Sequence, residues 1–180
     1  MVDNSIPKPM GNMTNIEPNP LMKHVRQPKL YIRLPSNGKY WPEKSLERTE
    51  SGEFAVLPMT ARDEITFKTP DALINGQATV DVIQSCIPSI KNAWDTPSID
   101  LDVILIAIRR ATYGDTLEMK HTIPGTDIEK EYGLNLLQMY DGYFAHEFID
   151  TFAIDGFKVQ IRPVAYKEFT KNALKTFEEQ

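Results

Sequence analysis

Five consecutive residues, His146-Glu147-Phe148-Ile149-Asp150, are the nearest this chain comes to a catalytic motif. A zinc peptidase of the HExxH type needs two imidazoles one helical turn apart, with a glutamate to activate water. Asp150 holds the second imidazole position here, and the segment leads into a strand pattern. The residues read as a surface acidic cluster. The carboxylate pairs Asp63/Glu64 and Asp100/Asp102 sit where helices should begin. Negative side chains there meet the positive end of the helix dipole, which accounts for them without general acid–base chemistry. Arg109-Arg110 could grip a carboxylate or a phosphate. The simpler reading pairs one arginine with Asp102 or a neighbour and leaves the other solvated. Such an exposed pair is usually worth under about 1 kcal/mol and would not hold a fold.

Other enzyme signatures are missing. The nine glycines are scattered at turn and stop positions and form no phosphate-cradling loop, and there is no GxSxG elbow. Cys86 stands alone among Val82, Ile83 and Ile87, so it reads as a small buried hydrophobe in a reducing compartment. No catalytic residue, metal or cofactor is expected. A net charge of -5 over 180 residues argues against a general nucleic-acid surface. No membrane segment is expected either. The most apolar run, Val103 to Ile108, is too short to span a bilayer, and Met1 to Asn19 lacks the apolar run of a signal peptide. Tyr31, Tyr40 and Trp41 flank a turn. They suit interface anchors, since aromatic side chains dominate binding hot spots, and equally suit half-buried core cover.

The element on which everything else must be hung is Ser98 to Gly114, SIDLDVILIAIRRATYG. Ser98 is expected as the N-cap, with Asp100 and Asp102 in the first turn and Arg109 and Arg110 near the last. Gly114 supplies the stop. Leu101, Ile104, Leu105, Ile108 and Ala111 share a stripe that Val103, Ile106 and Ala107 widen, so the helix needs cover from several directions. Residues 1–27 carry Pro7, Pro9, Pro18 and Pro20 with little periodic hydrophobicity, and are expected to be a solvated arm. As a partner-binding arm it would use Met10, Met13, Ile16 and Leu21, together with Ile6, as anchors. Residues 28–180 are expected to form one domain of the α+β class, with shorter helices and antiparallel hairpins packed around the central helix.

Lys29 to Leu34 alternates as a strand with Leu30, Ile32 and Leu34 on one face. Pro35-Ser36-Asn37-Gly38 signals a turn, after which Lys39-Tyr40-Trp41 could return as a short strand. A polar loop or short irregular helix over Pro42 to Ser51 precedes a strand at Phe54 to Leu57. Thr60 can cap a turn holding Asp63, Glu64 and Ile65. Thr69-Pro70-Asp71 looks like a helix start carrying Ala72, Leu73 and Ile74. Thr79 to Ile87 forms a further helix, and Trp94 should plug into the core. Asp115 to Ile123 and Ile128 to Leu137 can pair about Pro124-Gly125. The clearest hairpin is Thr151 to Val164, where Asp155-Gly156 suits a type I′ turn. That turn sets Ile154 opposite Phe157 and Phe152 opposite Val159, with the large apolar residues on one face. Ala165 to Gln180 closes the chain as a helix with Phe169, Leu174 and Phe177 partly buried.

Five segments occur in an order that resembles one known family. They are LPSNGKYW (Leu34 to Trp41), FAVLPMTARDE (Phe54 to Glu64), PDALING (Pro70 to Gly76), VIQSCI (Val82 to Ile87) and the central IDLDVILIAIRRATYG. Together they are similar to the baseplate hub assembly proteins of T-even-like contractile-tailed bacteriophages, over roughly Leu30 to Leu137. The resemblance implies a non-enzymatic role in building the hub, as assembly factor or chaperone, with other baseplate hub proteins as partners. It implies action in the host cytoplasm, and leaves residence in the virion and a homo-oligomer open. Some relatives carry a CPxC pair after the helix matching Leu101 to Gly114. Here that place is His121-Thr122-Ile123-Pro124-Gly125, without a cysteine, so no zinc is expected. A permanent virion subunit is the main alternative. A small-molecule enzyme using His146, Glu147 and Asp150, or Arg109 and Arg110, is the other.

Overall fold

The structure, a computed structural model, describes residues 25–69, 75–126 and 128–179. The arm anchors Met10, Met13, Ile16 and Leu21 and the expected helix with Ala72, Leu73 and Ile74 lie outside these residues, as does the side chain of Phe177. Strand β1 (Leu30–Ile32) pairs antiparallel with β2 (Phe54–Val56), with Tyr31 opposite Ala55. Helices α1 (Ala61–Phe67) and α2 (Gln77–Cys86) follow, then a 3-10 turn (Ala93–Asp95) and the central helix α3 (Ser98–Tyr113). Beyond it lie the hairpin β3 (Thr116–Thr122) and β4 (Glu129–Asn135), helix α4 (Leu136–Gly142), the hairpin β5 (Thr151–Ile154) and β6 (Phe157–Gln160), and helix α5 (Tyr166–Glu178). The fold is α+β, with three separate two-stranded antiparallel sheets among the described residues.

Helix α3 is the core's axis. Val103, Ile104, Ala107, Ile108 and Ala111 are buried on it, each placed by the 3.6-residue period. Ile104, Ala107, Ile108 and Ala111 meet Val82, Ile83 and Cys86 of α2 and the inward residues Ile32, Phe54 and Val56 of the first sheet within one cluster. Fully burying an aliphatic side chain of this size contributes about 1.5–3 kcal/mol, so this cluster is where the stability resides. Helix α4 packs along another side of α3. The cover expected from the later hairpins is not supplied by them: β3, β4, β5 and β6 are exposed along most of their length. The short first sheet, α2 and α4 already take the apolar faces of α3.

Several local expectations are corrected. Pro97, not Ser98, is the N-cap of α3, and no side chain caps that end. Ser98 is instead drawn into the backbone: its amide donates to the Val164 carbonyl at 2.8 Å, beside a bridge between Pro97 and Ala165. Lys39-Tyr40-Trp41 is no strand. Asn37 and Gly38 take φ of 50° and 75°, the Asn37 amide donates to the Leu34 carbonyl, and the chain curls inward. Strand β1 therefore finds its partner in β2, and Trp41 enters the core. The polar loop after it is pinned by Leu46, which is buried and bridges to Ile90. Strand β4 stops at Asn135, whose side chain accepts from the Gln138 amide and caps α4, so Leu136 and Leu137 are helical. On α5 it is Tyr166 and Thr170 that are buried, while Phe169 is exposed. Tyr166 stacks on half-buried Trp94 with centroids 5.8 Å apart, and that stack fixes which face turns inward.

Candidate functional site

The acidic segment 146–150 is not helical, so it lacks the one-turn spacing that metal ligation would need. His146 and Glu147 are exposed, and Asp150 is turned the other way to act as a tether. Its Oδ2 accepts from Lys39 Nζ at 2.6 Å and from the Tyr40 hydroxyl at 2.9 Å. These hydrogen bonds, with one from Thr151, hold the Asp150 carboxyl down at about 2. Phe148 meets the Tyr40 ring edge-on at 5.9 Å. Tyr40 is thus half-buried in the root of the β5–β6 hairpin rather than presented at a free surface. Among the described residues, no group of three or more His, Cys, Asp or Glu could hold a metal ion.

Asp100 has the role the sequence concealed. It is fully buried, and one carboxylate receives the Ser36 amide at 2.9 Å, the Ser36 hydroxyl and the Trp41 indole N–H at 2.7 Å. Burial pushes its pKa up, and the three donors offset part of that shift. The first turn of α3 is thereby tied to the Ser36–Trp41 turn. Trp41, only 4% exposed, is a core residue and not a surface anchor. Of the three aromatic candidates, Tyr31 alone is largely exposed.

The remaining chemistry-bearing residues are also engaged. Asp63 forms a capping box with Thr60, and Arg26 Nη1 donates to its Oδ2 at 3.2 Å while also contacting Ser85. Arg110 pairs with Asp115 at 2.7 Å, and Arg109 lies over the Tyr113 ring at 5.0 Å. Neither arginine takes Asp102, which accepts from the Tyr143 hydroxyl at 3.1 Å. Burial pushes the Cys86 thiol up to about 11, so it stays protonated and unreactive at neutral pH.

What stands out is apolar surface. The Asp155-Gly156 turn takes φ of 49° and 83°, and the register sets Ile154 against Phe157 and Phe152 against Val159, as the sequence predicts. The face they share is turned to solvent. Phe157 is 75% exposed and Ile149 is 70% exposed, with Phe152, Ile154 and Ile161 exposed around them. Met119 and Tyr132 face each other across β3 and β4 in the same condition. Soluble monomers rarely leave so many large apolar side chains together in water, and a two-stranded hairpin alone is marginal. The alternation in the sequence marks these residues as one face; it carries no sign that the face stays open.

A family model described as T4 bacteriophage base plate protein matches residues 29–180. The chain belongs to this family. The match begins one residue before β1 and runs through all three sheets to the end of α5, well past Leu137. Neither a search of curated proteins nor a search of solved structures returns a match. The chain is therefore a bacteriophage base plate protein, working among other base plate proteins of the phage tail. Among the described residues, no helix is long and apolar enough to cross a membrane.

Proposed function

We propose that this base plate protein is a non-enzymatic assembly factor of the baseplate hub of a contractile tail, which binds other hub proteins in the host cytoplasm and orients them. The observation that carries this reading is the open apolar face of the β5–β6 hairpin around Phe157. A chain whose core is complete without that face has apolar area left for a partner, and burying it there yields about 25 cal/mol per Å². In this reading Tyr31 supplies a second contact. Residues 1–27 form an arm that orders on the partner through Met10, Met13, Ile16 and Leu21, while residues 28–180 act as one domain.

Affinity capture of tagged protein from infected cells tests the proposal. Hub components should be recovered with the wild-type chain and reduced with the Phe157→Ser variant; recovery of metabolic enzymes alone would count against it. The second reading, a permanent virion subunit, rests on the family itself, whose description is of the base plate. Mass spectrometry of purified particles separates the two. An assembly factor should be absent or far below stoichiometry.

A further inference from the structure

We infer that the cavity between the start of α3 and the segment after α4 is a receptor for a guanidinium group, the arginine side chain of a partner protein. The cavity encloses about 530 Å³, and its walls bring together Asp102 from α3 and Tyr143, Phe144, Glu147 and Phe148 from the chain beyond α4. Two carboxylates, the rings of Tyr143, Phe144 and Phe148 and the His146 imidazole line it, and no lysine or arginine does. Among the described residues, neither Asp102 nor Glu147 forms an ion pair. The nearby Lys39 is not available to fill the site, because its ammonium is held by Asp150 at 2.6 Å.

The walls are held in place before any ligand arrives. The Tyr143 hydroxyl donates to Asp102 Oδ2 at 3.1 Å, which orients the carboxylate. Phe144 leans on Tyr140 with centroids 5.1 Å apart, and Phe148 is fixed against Tyr40. A planar cation with several N–H donors suits such walls. It can stack on one ring while its fork reaches the carboxylates, and it sheds water more readily than an ammonium does. The net charge of -5 favours the approach of a basic partner. That the guanidinium belongs to a partner protein rests on the binding role proposed above; the site's preference for a guanidinium does not.

The test is an NMR titration of the full chain with N-acetyl-arginine amide, and in parallel with the uncharged isostere N-acetyl-citrulline amide. The expected result is a saturable shift of the Tyr143 and Phe148 ring signals by the arginine probe, at least tenfold weaker with citrulline. The Asp102→Asn/Glu147→Gln double variant should bind the arginine probe at least tenfold more weakly, with an unchanged thermal melt to show that it folds. Equal responses to both probes would overturn the inference. So would an unaltered response in the folded double variant, or no saturable response from the wild-type chain. Capture of hub proteins by a chain that ignores the arginine probe would remove this site and leave the binding role standing. Saturable binding without hub capture would do the reverse.

Discussion

Up to Tyr113 the described chain gathers most of its large side chains into one core, with Tyr31, Ile65 and Tyr113 left outside, and its buried carboxylates are spoken for: Asp100 receives three donors, and Asp95 receives Ser45 and Lys167. From Gly114 to Ile161 the balance reverses. Leu136 is buried there, while Phe157, Ile149, Ile154 and Tyr132 stand in solvent. Both regions contain alternating or periodic apolar residues, so the difference is not one of composition. The first region closes on itself through contacts far apart in sequence. The second consists of hairpins whose strands pair with their nearest neighbours and then find no further layer. A protein built this way can be stable through one half and adhesive through the other.

The sharpest way to break the comparison is a pair of truncations. Ile104→Ala in α3 should cost about 2–5 kcal/mol by denaturant unfolding, because it opens a cavity in a packed core. Phe157→Ser should change stability by no more than about 0.5 kcal/mol while lowering hub capture. Equal losses would show that the β5–β6 face is core after all. Next in size, Asp100→Ala leaves the Ser36 amide, the Ser36 hydroxyl and the Trp41 indole without their acceptor, and should cost about 3 kcal/mol. A near-neutral effect on the urea midpoint would show that the carboxylate does not join the two segments.

Within the hairpin region, Gly156→Ala should loosen the β5–β6 turn by about 1 kcal/mol, since φ of 83° strains any residue with a Cβ although the space there is open. Amide exchange should quicken at Phe157 and Lys158 while the global melt stays put. A lowered melting temperature would mean that the turn is part of the cooperative core.

Acid should discriminate least strongly between the regions, but with opposite signs at two carboxyls. Asp150 titrates near 2 in the folded chain against an ordinary 3.8. Its contribution is present above the ordinary value and is lost as pH falls towards 2. Asp100 is shifted upward by burial, so its ionisation works against the fold as pH rises above the ordinary value. The Asp63 and Asp95 carboxyls follow the Asp150 direction and loosen in acid too. Carboxyl NMR titration reads each group separately; an Asp150 that titrates at the ordinary value would remove the tether to Lys39.

Much of this architecture is written locally. The width of the apolar stripe from Leu101 to Ala111 requires a buried helix. Thr60 and Asp63 stand at capping-box spacing, and Asp155-Gly156 dictates the register of β5 and β6 because only a turn with two positive φ values fits there. Each of these is a rule about residues a few positions apart. The family was legible in the same way, from the order of short segments. The partner-facing surface was less so: the apolar face of the hairpin can be read from its alternation, but its exposure cannot.

What only the tertiary structure decided are the meetings across long stretches of chain. Asp100 looks like an ordinary first-turn carboxylate until Ser36 and Trp41, some sixty positions earlier, arrive around it. Trp41 looks like an anchor until that same contact draws it inside. Asp150 leaves its would-be catalytic neighbours because Lys39 and Tyr40, over a hundred positions away, offer it better partners. Periodicity and turn chemistry fix an element and its faces. Which face is covered depends on what folds against it, and that is set by the whole chain.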